Sequence, residues 1–246
     1  MNESFNSNSL KITIILFLTI IFYYCYYYFA NSQYLKNFIS RNENEQRNKV
    51  VLFLAEKFTG FLFLGFVPGI IYYFTLGPFW IQFGLNLKIL ADNIILIALL
   101  VIIIAALIYL NQKLRPSNNS LQMNFQEWNI RLFTLDVVGW LGYLAAYEFL
   151  FRGILLFACY DYFGFWPAIA VNVVIYSAIH MVNGKDQTIG ALFFGTLACY
   201  LTLSRGTIFI PFFMHAALSL SSDYFSIKFN PDLKYLKNQK YTLPKR

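Results

Sequence analysis

A glutamate and an arginine, Glu148 and Arg152, stand four residues apart inside the apolar run 134–158, TLDVVGWLGYLAAYEFLFRGILLFA. An ionised side chain at the centre of a bilayer costs about 2.5–3.5 kcal/mol even on lenient insertion scales, so one that persists faces a partner or a water-filled cavity. The i, i+4 spacing puts the two on one helical face, where they can pair. The chain has two histidines, His180 and His215, and both fall in apolar segments. A carboxylate, a guanidinium and two imidazoles on three such segments read as a shared polar site rather than as separate interhelical hydrogen bonds. Glu56, Asp136 and Asp223 are the other acids in or at the edge of apolar segments.

The elements that must carry these groups follow from composition. The 246 residues are 58% hydrophobic, 20% aromatic and 13% charged, too little polar material to cover a soluble core of that size. Long unbroken runs such as 93–110 (NIILIALLVIIIAALIYL) point to helices and not to the short alternating segments of a barrel. The expected fold is an all-α polytopic bundle with spans near 12–30, 58–78, 93–110, 135–158, 165–182, 188–203 and 207–225. An eighth span or a re-entrant turn around Pro68 and Gly69 stays open within 50–80. The first span is too long for a signal-peptide core and is expected to remain as an anchor. Cys25, Cys159 and Cys199 all lie in apolar segments and read as small buried hydrophobes.

Fourteen Lys and Arg fall in loops 31–49, 111–131 and 183–187 and in the tail, against three (Lys11, Lys88, Arg205) on the other side. With Lys57 and Arg152 inside spans, this asymmetry places the N-terminus outside and the C-terminus in the cytoplasm of a cell membrane. The net charge of +7 then belongs to loops near anionic headgroups, and nucleic acid is not an expected partner. Three regions are expected: N-terminal helices and cytoplasmic loops over 1–132, a core over 133–226, and a basic tail over 227–246, with PSNNS at 116–120 a turn or flexible piece. Asp136 reads most simply as an N-terminal helix residue favoured by the macrodipole, and Asp223 as a headgroup-level residue at a helix end.

The segment YEFLFRG around Glu148 resembles the EExxxRG motif of the CPBP family, the CAAX-protease and bacteriocin-processing intramembrane peptidases. YSAIH (176–180) is similar to that family's aromatic-xxx-His motif, and HAALS (215–219) stands where the family has His-xxx-Asn. The Gly-spaced stretch, Arg-Gly turn and Pro-containing stretch over 189–215 resemble the family's link between its second and third motifs. The resemblance spans about 136–223 and implies an endopeptidase that uses water within the bilayer on membrane-associated or prenylated peptides. It implies that the first Glu of the pair and His180 activate water, that His215 and its partner at 219 face the oxyanion, and that Glu148 and Arg152 form a structural ion pair.

Two positions depart from the motifs. Tyr147 stands at the first Glu position and Ser219 at the Asn position. Ser219 can still donate a hydrogen bond. Tyrosine, with an ordinary pKa near 10, is a poor base. Neighbouring helical residues project about 100° apart, so Glu148, expected to be tied to Arg152, does not simply take over the slot. The catalytic candidates are therefore His180, His215, Glu148, Ser219 and Tyr147. Two readings follow: an active intramembrane endopeptidase, or an impaired homologue that binds a membrane peptide, for example in bacteriocin immunity. His180, His215 and Glu148 could make a His2Glu zinc set. The chain has no HExxH pattern and its Glu is claimed by Arg152, so neither metal nor cofactor is expected.

Overall fold

The computed structural model describes residues 2–76, 83–116, 121–123 and 125–236. Its elements in chain order are α1 (Asn2–Ala30), α2 (Gln33–Ile39), α3 (Glu45–Gly60), α4 (Val67–Leu76), α5 (Leu87–Asp92), α6 (Ile94–Leu114), β1 (Glu127–Trp128), α7 (Ile130–Glu148), α8 (Leu156–Phe163), α9 (Phe165–His180), α10 (Lys185–Arg205), α11 (Phe209–Phe229) and β2 (Lys234–Tyr235). Two wide π-helical turns, Phe61–Phe66 and Phe149–Leu155, join α3 to α4 and α7 to α8 without breaking the helices. The protein is an all-α, multi-pass membrane bundle. Among the described residues, six helical stretches are long and apolar enough to cross a bilayer: Ser9–Ile39, Glu45–Phe74, Ile94–Leu114, Ile130–Phe163, Phe165–Asn183 and Lys185–Arg205. α11, as long as α10, is not among them; His215, four serines, Asp223 and Lys228 interrupt it.

Around Pro68 and Gly69, where the sequence left a re-entrant turn open, the backbone stays helical. Pro68 has no N–H to offer the preceding turn. The π turn directly before it, in which Val67 N–H reaches back to Leu62 O, is where the helix absorbs that loss. Residues 77–78 of the expected second span, 117–120 of the PSNNS piece and 237–246 of the basic tail lie outside the described residues.

Burial sets the layers. The α7–α8 stretch is central, with 67% of its apolar window buried, against 6% for α6, which offers its sides outward. α1 turns Ile12, Ile15, Phe22 and Tyr26 inward at helical spacing and satisfies Thr19 on its own Ile15 carbonyl. Lipid gives helices no hydrophobic reason to associate, so close backbone approach matters. Gly65 supplies it: a Cβ there would meet the Ala146 Cβ at 2.7 Å, so only glycine lets the first π turn lie on α7 beside the site. At the bundle end where α7 begins and α11 finishes, β1 and β2 pair in parallel, Glu127 opposite Lys234. Phe125, Trp128, Leu132, Ile227 and Leu233 pack beneath them as a small cap.

Candidate active site

Three helices bring the polar groups together. α7 ends at Glu148 and passes into the second π turn, all seven residues of which, Arg152 included, are buried. Such turns are rare and often mark functional sites. This one is braced from outside: Asn172, fully buried on α9, donates its Nδ2 to Phe151 O at 2.7 Å and accepts from Cys199 Sγ of α10 at 3.1 Å. α9 opens at Gly164 (φ +82°) and ends at His180. α10 closes on Gly206 in the left-handed conformation (φ +66°), which a C-terminal glycine adopts without strain. Thr207 Oγ1 and Ile208 N–H then both donate to Gly84 O, fixing the start of α11.

Glu148 is the hub. Its Oε1 accepts from His215 Nδ1 at 2.7 Å, and its Oε2 faces Arg152 Nε at 3.3 Å. The guanidinium of Arg152 lies 4.1 Å from the centroid of the Tyr176 ring, a cation–π stack. His180 Nδ1 donates to Tyr176 O at 2.8 Å, and the two rings lie 4.5 Å apart. Gly195 of α10 gives the Tyr176 ring room, since a Cβ there would meet Tyr176 Cδ1 at 3.0 Å.

Hydrogen-bond partners fix both tautomers. A carbonyl and a carboxylate can only accept, so each Nδ1 carries its proton and each neutral ring presents a lone pair on Nε2. Glu148 has no exposed surface, whereas His215 keeps 13%. The carboxylate therefore cannot bind an attacking water itself. What its contact with His215 can do is hold that ring in one tautomer and stabilise an imidazolium there.

Tyr147 is 3% exposed and lies with its ring 4.6 Å from Phe151 and 5.9 Å from both Tyr176 and His215. Its hydroxyl has no hydrogen-bond partner among the described residues. It forms the aromatic wall behind the Glu148–His215 pair. Ser219 is half-buried one turn beyond His215, and no hydrogen bond ties it to the cluster. The expected Glu148–Arg152 pair is present, and the second carboxylate oxygen of Glu148 meets His215 as well. Among the described residues, no three His, Cys, Asp or Glu side chains gather as a metal-ligand set.

Asp136 and Asp223, read from the sequence as residues toward helix ends, are both inside the protein. Both are 1% exposed, and they lie against each other and near the buried Lys57. Asp223 Oδ2 accepts from Trp140 Nε1 at 2.9 Å, and Lys57 Nζ sits 3.3 Å from the Trp140 ring centroid. Asn172 is the residue the sequence hid; its one signal was an amide in an otherwise apolar helix.

A family model described as Type II CAAX prenyl endopeptidase Rce1-like matches residues 128–221, which include Glu148, Arg152, His180, His215 and Ser219. Over those residues the chain is similar to the CAAX-protease type of the CPBP family. The family so described is one of endopeptidases, and the matched segment runs from β1 through α7 and α10 into α11. No curated protein and no solved structure matches the chain.

Proposed function

We propose that this protein is a CPBP-type intramembrane endopeptidase that cleaves membrane-associated or prenylated peptides with water activated by His215. The observation that carries the reading is the 2.7 Å contact between Glu148 Oε1 and His215 Nδ1, made inside an apolar bundle. In the proposed step a water gives a proton to His215 Nε2 while its oxygen bonds to the scissile carbonyl carbon. The imidazolium then returns that proton to the amide nitrogen as the C–N bond breaks, leaving a carboxylic acid and an amine. Glu148 stays ionised throughout. His180, with Nε2 free, orients the water. Ser219, half-buried one turn beyond His215, is a hydroxyl donor for the oxyanion, a contribution of about 3–4 kcal/mol for a well-placed donor.

A cavity of about 540 Å³ supports a lipid-bearing substrate. It is lined by apolar and aromatic side chains with Gly65 and Gly69, and includes Ala146 and Phe149 on either side of Tyr147 and Glu148, and Phe212 one turn before His215. That size suits a small-molecule site. We place the protein in the cell membrane with α11 as a seventh span, the N-terminus outside and the C-terminus cytoplasmic, as the Lys and Arg distribution supports.

A second reading has its own observation: the site's one carboxylate has no exposed surface, and Tyr147 stands beside it where the motif has Glu. On that reading the chain binds a membrane peptide, as in bacteriocin immunity, without cutting it. Purified protein with lipidated membrane peptides decides. Wild-type cleavage that disappears in His215→Ala establishes the peptidase; cleavage found only in Tyr147→Glu establishes the impaired homologue.

A further inference from the structure

Glu148 and His215 meet because two antiparallel helices lie in one particular register. Trp140 precedes Glu148 on α7 by eight residues, and Asp223 follows His215 on α11 by eight. Both pairs are hydrogen-bonded, Glu148 with His215 at 2.7 Å and Trp140 with Asp223 at 2.9 Å. The two contacts are therefore rungs about 12 Å apart along the same helix pair. A slip of one residue moves α11 by about 1.5 Å and turns its side chains by about 100°, breaking both rungs.

The aromatic contacts of His215 near the site, Phe194 at 5.2 Å and Tyr147 at 5.9 Å, are non-directional by comparison. In a bilayer no hydrophobic force sets the register either. The far rung is built for it. Lys57 reaches from α3 to place its ammonium on the face of Trp140, 4.6 Å from the centroid of Tyr143 and 5.3 Å from that of Phe53. The indole is thus held by its face from α3 while its N–H points to Asp223. Lys57 and Asp223 are 3% and 1% exposed, so water does not compete for either.

We infer that Lys57, Trp140 and Asp223 are positioning residues for the reaction, fixing α11 on α7 so that His215 Nδ1 meets Glu148. The inference rests on the proposed function for its kinetic readout only, because the His215–Glu148 hydrogen bond is observable without activity.

The test is 15N-histidine NMR on the full chain in detergent micelles, with the two-histidine spectrum assigned by His180→Gln. Wild type shows a strongly hydrogen-bonded Nδ1 proton on His215; its absence overturns the inference. Trp140→Phe keeps the ring for Lys57 and loses the N–H, and Asp223→Leu loses the acceptor; both weaken or abolish that signal. Asp223→Asn keeps an acceptor and retains it. In the cleavage assay Trp140→Phe lowers kcat by up to about a hundredfold with KM unchanged, as a roughly 1 Å misplacement of a catalytic group does. If Trp140→Phe and Asp223→Leu fold and leave the His215 signal at its wild-type position, the inference is wrong. If the signal moves but wild type cleaves nothing, the positioning stands and the peptidase reading falls.

Discussion

Two buried polar clusters share the same two helices, and their differences separate chemistry from scaffolding. Around Glu148 the groups are a carboxylate, a guanidinium and two imidazoles, and the imidazoles keep Nε2 lone pairs uncommitted while His215 retains some exposure. Around Asp223 the groups are two carboxylates, an ammonium and an indole; Lys57, Asp136 and Asp223 are at most 3% exposed, under a cap formed by β1, β2 and their apolar neighbours. Both clusters carry the desolvation penalty of charge in an apolar setting. One leaves imidazole lone pairs uncommitted. The other is closed and holds helices.

The largest expected effect breaks the first cluster. His215→Ala lowers the cleavage rate about 10³-fold, or ~4 kcal/mol in activation free energy, the middle of the range for a positioned base. Glu148→Gln falls nearly as far, since Gln no longer enforces the Nδ1–H tautomer. The double variant falls little further, because residues acting as a unit are not additive. Steady-state rates of the three variants check this; additive losses would mean that Glu148 and His215 act separately.

Next comes the cation of the second cluster. Lys57→Met conserves most of the stem's packing but leaves Asp136 and Asp223 buried without it, a cost of about 3 kcal/mol in stability. Thermal unfolding in detergent measures it. The comparison sharpens if the folded fraction of Lys57→Met retains a larger share of activity than His215→Ala does, as a structural group predicts.

How much of this arrangement was legible beforehand depends on the range of the interaction. Helices announce themselves through apolar runs, and the three motifs carrying Glu148, His180 and His215 lie in order along the chain, so the site's membership was readable. The meeting of Asp136 and Asp223 was not readable, because each lies near a predicted span boundary, where charge is cheap; only the antiparallel register of α7 and α11 brings them together. The π turn after Glu148 was invisible for a related reason. Its sequence, FLFRGIL, suits an ordinary helix, and what favours the wider turn includes a hydrogen bond donated to Phe151 O by Asn172, 21 residues on.

That brace gives a smaller prediction. Asn172→Leu removes the donor to Phe151 O and leaves the Cys199 thiol without its acceptor, costing ~1–2 kcal/mol. Phe151 O still accepts from Leu156 N–H, so the turn survives in part. Activity falls more than stability alone accounts for, because Arg152 follows Phe151 directly and Glu148 pairs with it. A change in melting temperature with unchanged activity per folded molecule would assign Asn172 to packing only.

The smallest effect lies at the edge of the second cluster. Glu56 is the acid nearest Lys57 in sequence, yet its Oε1 stands 3.8 Å from Nζ and its side chain is 33% exposed, within reach of Gln122 Nε2 at 3.4 Å. An ion pair so open to solvent contributes little, and Glu56→Gln should change stability by less than about 0.5 kcal/mol. Glu56 is also the carboxylate paired with Lys57 by distance; its exposure, against the burial of Asp136 and Asp223, is what should keep its contribution small. Unfolding of Glu56→Gln beside Lys57→Met tests that directly, since a loss of equal size in both would mean that the 56–57 pair, and not the Asp223 rung, is what the lysine serves.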